Sequence, residues 1–255
     1  MAEERFDCPL LEYDSDEEAV VNPNRENGTA FPDSAAMIFY SDSLYSFAEE
    51  KHLPVLDQFV SATRIYPVYR LDRAGESIAL CQAPVGAAAS VQVLDWLYAR
   101  GVKRVIATGS CGVLEPLPEN AFFLPVCALR DEGTGYHYMP PSRYIETDTA
   151  SAERIRAYFT KHRIPLEEGA TWSTDGFFRE TRGKVEKRRR EGCRTVDMEC
   201  SALAACAAFR KKEFGMFFFT ADSLADPELY DERGWGIAAA DQAMRIAAEI
   251  AFDRG

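Results

Sequence analysis

The sequence predicts an α/β fold: one domain built on a central, mixed, largely buried β-sheet flanked by helices. Three observations predict it. Short apolar runs, each bounded by Gly, Pro or a charge, alternate with longer helix-like stretches. Several runs are apolar throughout rather than at every second residue, as expected of strands covered on both faces. Finally, 255 residues with 47% apolar content suffice for one large α/β domain, with no linker or internal repeat to divide it.

In chain order, residues 1–30 read as an acidic, turn-rich extension, with turn signals at Asn22-Pro23-Asn24 and Asn27-Gly28; the α/β domain spans 31–255. Strands are predicted at Ala36–Tyr40, Ser77–Ala83, Lys103–Thr108, Phe122–Leu129 and Gly215–Thr220. Helices are predicted at Ala87–Arg100, closed by Gly101; at Ala150–His162, before Ile164-Pro165; at Glu199–Lys212; and at Ile237–Phe252. The basic run Lys184–Arg190 is interspersed with Glu186 and flanked by Glu180 and Glu191, and reads as a solvated helix face.

Composition excludes several functions. Lys plus Arg number 29 against 41 Asp plus Glu, a net charge of −12. A nucleic-acid partner, which selects a basic surface, is therefore not expected. The charge is uneven: residues 1–18 hold eight acids against Arg5, −7 of the −12. The domain itself is left near neutrality and open to small anions. A basic and then apolar leader is missing at the N-terminus, and no apolar run approaches the roughly 18 residues of a membrane span. Seven cysteines without a C-x-x-C spacing read as small buried hydrophobes in a reducing cytoplasm. His52, His137 and His162 lack metal-ligand spacing, and neither a dinucleotide nor a P-loop glycine motif is present.

Ligand sites in such folds lie at the carboxyl ends of strands. Five segments there can carry chemistry. In Thr108-Gly109-Ser110-Cys111-Gly112 a buried strand runs into two glycines and a serine, a place where backbone N–H groups can cradle an anion, or simply a tight turn. Val196-Asp197-Met198-Glu199 opens an almost wholly apolar helix, so Glu199 is part-buried and placed to accept from sugar hydroxyls, or caps the helix. Asp222 directly follows the apolar run Phe217-Phe218-Phe219, the position of a catalytic acid or of an N-cap. In Ser173-Thr174-Asp175-Gly176-Phe177-Phe178 an aromatic ring can stack on a planar base or serve the core. Arg130–Tyr138 is polar and aromatic, like a site loop.

Taken in order, these segments resemble the nucleoside phosphorylase and nucleosidase family over roughly residues 35–253. The resemblance implies a nucleoside-phosphorylase-like fold and an enzyme, a pentosyltransferase of nucleoside salvage. Phosphate would cleave the N-glycosidic bond to give free base and (deoxy)ribose 1-phosphate. Asp222 would be the general acid at the base, Met198 and Glu199 would hold the ribose, and Phe177 and Ser173 the base. Ser110, Gly109 and Arg64 would hold phosphate, Arg64 matching an arginine that the family donates across a dimer interface. Phosphate would be the co-substrate, with no other cofactor, and the assembly a homo-oligomer, dimer or hexamer. Asp222 favours a purine; Arg130–Tyr138 resembles the uridine-type branch, although Thr181 and Gly183 stand where that branch reads uracil. Three departures leave hydrolysis by water, or nucleoside binding without catalysis, as alternatives. Tyr45 and Ala107 occupy positions where the phosphorylases carry phosphate arginines, and Ser41 replaces a loop glycine.

Overall fold

The structure is a computed structural model that describes residues 7–23, 30–226 and 228–253. Ten strands are described: β1 Ser34–Ile38, β2 Val55–Val60, β3 Ile65–Arg73, β4 Glu76–Gln82, β5 Arg104–Val113, β6 Phe122–Asp131, β7 Tyr144–Glu146, β8 Glu167–Thr174, β9 Cys193–Asp197 and β10 Glu213–Ser223. Six helices accompany them: α1 Ser41–Glu50, α2 Ala87–Ala99, α3 Thr149–His162, α4 Arg182–Arg190, α5 Cys200–Phe209 and α6 Ile237–Phe252.

All ten strands form one mixed sheet with β5 at its junction. The first half of β5 pairs in parallel with β1 on one side and β10 on the other; Gly112 and Val113 then pair antiparallel with β9. Because β10 also pairs with β6, β6 with β8, and β8 with β9, five strands close into a ring, β5-β10-β6-β8-β9. The remaining strands β1, β4, β3 and β2 extend from β5 as an open arm.

Alternation along the strands explains the uninterrupted apolar runs. Ala35, Met37, Val105, Phe214, Met216 and Phe218 pack with α2 and α5. Their neighbours Ala36, Ile38, Ile106, Phe217 and Phe219 pack with α3 and α6 on the other face. Each strand residue thus finds a covered side, the pattern of a sheet buried on both faces. Phe159 and Phe217 meet edge to face at 5.3 Å in the second layer. Truncating either buried ring costs about 3–5 kcal/mol on the usual scale for Phe→Ala.

The strand β5 differs from expectation. It continues through Gly109-Ser110-Cys111-Gly112 to Val113 rather than turning there. The glycines serve close approach. A Cβ on Gly109 would lie 2.8 Å from Phe39 Cβ, and one on Gly112 would lie 2.9 Å from Val196 Cγ1 and 3.2 Å from Asp222 Oδ1. The four helices predicted between 87 and 252 form close to their predicted bounds, and α6 coincides with its own.

The basic run forms α4, where Arg188 and Lys184 both reach Asp131 (3.1 and 3.4 Å) and Arg188 also pairs with Glu191. Five of the seven cysteines are buried, Cys127 is half-buried and Cys8 exposed, and all are free. Part of the N-terminal extension is held to the domain: the Glu17 carbonyl accepts from Arg210 (2.9 Å) and its carboxylate from Lys211 (2.6 Å). The Asn27-Gly28 turn signal lies outside the described residues. No helix among the described residues is long and apolar enough to cross a membrane.

Candidate active site

The carboxyl ends of β5, β9 and β10 converge on one cleft of about 390 Å³. Gly109–Gly112 form its floor from β5, Met198 and Glu199 follow β9, and Asp222 comes from the end of β10. Phe177 and Glu180 enter from the connection between β8 and α4, and Trp235 from the segment before α6. Six of the eight residues expected to form the site are therefore brought together: Gly109, Ser110, Phe177, Met198, Glu199 and Asp222.

Two are not. Ser173 is fully buried; its hydroxyl donates to Asp197 Oδ1 (2.9 Å) and accepts from the Ser201 N–H (3.0 Å), so it faces no ligand space. Its role is to anchor the start of α5. Arg64 stands exposed on the turn between β2 and β3, outside the cleft lining. Its guanidinium reaches the Tyr45 hydroxyl at 3.4 Å and lies over the Tyr45 and Tyr66 rings. The Arg130–Tyr138 segment also contributes nothing to the cleft lining. Arg130 donates to the Pro140 carbonyl and the Ser142 hydroxyl, both at 2.8 Å, and pins the β6–β7 connection.

The two acids of Val196-Asp197-Met198-Glu199 have separate tasks. Asp197 Oδ1 accepts from the Thr171 and Ser173 hydroxyls (3.0 and 2.9 Å), and Oδ2 from the Glu199 and Cys200 N–H groups (2.7 and 2.6 Å). Four bonds fill its lone pairs, and two of them satisfy orphan donors at the start of α5. Glu199 is also buried; its Oε1 accepts from the Gly86 N–H at 2.6 Å, and the Met198 backbone hydrogen-bonds the same carboxyl. Gly86 sits at φ +96°, a conformation that favours glycine, so the β4–α2 loop can aim its N–H at this carboxyl. Burial and then the neighbouring Asp197 push the Glu199 carboxyl up to about 8.

At the other end of the cleft burial raises Asp222 above the ordinary carboxylate range, while the Tyr230 hydroxyl and Arg233 favour its charged form. Glu180 lies beside it, pushed up to about 8 by burial and then by Asp222 and Asp197. Four carboxyl residues, Glu180, Asp197, Glu199 and Asp222, thus line the cleft together with Phe177 and Trp235. Sequence reasoning did not find Glu180, Tyr230 or Trp235. Glu180 was legible only as one more acid beside a basic helix, and Tyr230 and Trp235 lie in a polar connection with no motif.

This architecture and this cleft define a class. Residues 32–251 match the family model described as the phosphorylase superfamily, and the chain belongs to that family of enzymes. Among solved structures it is similar to the purine nucleoside phosphorylase of Toxoplasma gondii in complex with immucillin-H (17% identity, 87% of this chain and 90% of that one, TM-score 0.72). It is likewise similar to the uridine phosphorylase of Vibrio fischeri (20%, 91% and 93%, TM-score 0.73). A third likeness is to the AMP nucleosidase of Bacteroides thetaiotaomicron (21%, 86% and 88%, TM-score 0.66). The fold is thus shared by phosphorylases and by a nucleosidase.

Proposed function

We propose that this chain cleaves the N-glycosidic bond of a nucleoside and that water is the acceptor. In this reading Met198 and Glu199 hold the sugar, and Phe177 packs on the base. Asp222 hydrogen-bonds or protonates a ring nitrogen as the base departs. Water oxygen bonds to the anomeric carbon, the carbon–nitrogen bond breaks, and the base leaves carrying a proton. Negative charge develops on the departing base, where the Asp222 carboxyl can meet it, while the Glu199 carboxyl holds the sugar through hydrogen bonds to its hydroxyls.

One observation carries the choice of water. Four carboxyl residues, Glu180, Asp197, Glu199 and Asp222, border the inner cleft, and no Lys, Arg or His does so among the described residues. Among the described residues the lining itself therefore offers a phosphate dianion no cationic side chain; Arg233 and Lys184 act on Asp222 and Glu180 from outside it. The two positions at which the family's phosphorylases carry arginine do not compensate. Tyr45 donates its hydroxyl to Gln82 Oε1 (2.5 Å), and Ala107 is fully buried against the helical layer.

Phosphorolysis, which the family resemblance puts first, is supported by Arg64. It is exposed and lies against Tyr45, and from there or from a second copy of the chain it could supply the missing charge. The test is release of free base from a nucleoside panel with and without phosphate. Base release independent of phosphate supports hydrolysis; strict dependence on phosphate, with a sugar phosphate as product, replaces it with phosphorolysis. Tight nucleoside binding with no turnover under either condition removes both.

A further inference from the structure

A second cavity of about 610 Å³ opens beside the inner cleft. The two share Phe177, Glu180, Asp222 and Trp235, all of them at the base end. None of Ser110, Met198 and Glu199 borders the second cavity. It therefore extends the cleft past the base and away from the sugar. Its further walls include Phe178, Val185, Leu224 and Tyr230. Phe178 is 92% exposed and Tyr230 51%, so aromatic surface continuous with the site is left to water. Apolar surface of this kind, joined to a polar binding cleft, marks a place where a ligand is to be covered.

We propose that this second cavity is a subsite for a bulky apolar or aromatic substituent carried on the base, on the edge remote from the glycosidic bond. The preferred substrates are then base-substituted nucleosides. The proposal rests on the reading of the inner cleft as a nucleoside site with its base at Phe177 and Asp222. A plain nucleoside fills the inner cleft and leaves Phe178 and Tyr230 hydrated. A phenyl-sized group on the base removes that surface from water, an effect worth about tenfold in affinity even when burial is partial.

The test compares adenosine with N6-benzyladenosine, and uridine with 5-benzyluridine, on the wild-type chain and on Phe178→Ala. Phe178 does not border the inner cleft and packs edge to face on Phe177 at 5.0 Å. The expected result is a kcat/KM about tenfold higher for the substituted member of at least one pair, with Phe178→Ala lowering it severalfold more than that of the plain member. The proposal is overturned if both substituted members fall below their parents, as they would if a second copy of the chain covered the cavity. It is equally overturned if Phe178→Ala affects plain and substituted members alike. If no member of either pair is cleaved, the proposed reaction fails; calorimetric binding of the same four compounds then decides the subsite on the same criteria.

Discussion

The closed ring of the sheet and its open arm carry opposite halves of the problem. The ring strands β5, β9 and β10 deliver Ser110, Glu199 and Asp222 to one point, each fixed by strand pairing on both sides of its element. The arm strands β2 and β3 carry Arg64 at an exposed turn, away from that point. In the ring, the carboxyls are buried, and burial first and neighbouring acids second raise Glu180 and Glu199. At the β2–β3 turn of the arm, the Arg64 charge is exposed and held only by the Tyr45 hydroxyl and the Tyr45 and Tyr66 rings. The comparison teaches that the buried carboxyls of the cleft and the exposed Arg64 cation sit on separate parts of the sheet in one chain.

The largest effect should come from breaking the ring's chemistry at Asp222. Asp222→Asn keeps the shape and removes the proton, so base release from a purine nucleoside is expected to slow by about 10²–10⁴-fold, the range for a positioned general acid. A rate near wild type would take Asp222 out of the reaction. Next is the ring's scaffold. Asp197→Asn sets an amide donor against the Glu199 and Cys200 N–H groups or against the two hydroxyls. Loss of charged, buried hydrogen bonds should destabilise the fold by about 2–5 kcal/mol in denaturant unfolding. A change below about 0.5 kcal/mol would mean that these four bonds do not hold the start of α5.

What could be read from the sequence follows burial rather than that division. Strands buried on both faces were legible in ring and arm alike: the runs ending in Tyr40, Ala83, Thr108, Leu129 and Thr220 are apolar enough to declare themselves. Ring strands β8, which opens with exposed and half-buried Glu167-Glu168, and β9, with Arg194 and Thr195, were not. The arm strand β2, Val55–Val60, mixes exposed and half-buried positions and gave no such signal. Within the site, Asp222 stood out because it ends a buried apolar run, inside β10 as the structure has it, and Glu199 because it opens an almost wholly apolar helix. Glu180 did not, because its carboxyl is raised by burial and then by Asp222 and Asp197, which lie far from it in the chain and near it only in space. Ser173 misled for the same reason. It is polar and sits in the right segment, but its register on β8 turns it to Asp197 rather than to the cleft.

A smaller and distributed effect concerns pH. Glu180 and Glu199 are both raised from about 4.5 to about 8, so the folded chain retains protons that the unfolded chain has released. Stability attributable to them is full below the ordinary carboxylate range and is lost as pH rises through about 8. Thermal unfolding followed across that window should show the decline. Glu199→Gln, which cannot ionise, should flatten its share. An unchanged slope in that variant would show that Glu199 is not the buried, proton-holding group its surroundings make it.

The smallest expected effect is the one that most sharpens the contrast. Arg64→Ala removes the cation at the β2–β3 turn without touching the ring. Arg64 is exposed, its bond to Tyr45 is long, and exposed pairings of this kind contribute at most about 1 kcal/mol, so stability should hardly move. If water is the acceptor, base release should stay within about twofold of wild type at every phosphate concentration, because the reacting centre never meets the guanidinium. If phosphate is the acceptor, the variant should lose the phosphate-dependent rate through a raised KM for phosphate. A mixture of inactive Asp222→Asn and Arg64→Ala chains would then regain activity only if Arg64 acts across an interface, since only a mixed pair would join an intact Asp222 to a neighbour's Arg64. Recovery in the mixture would make the arm half of a shared site and would tie together the two regions that a single chain keeps apart.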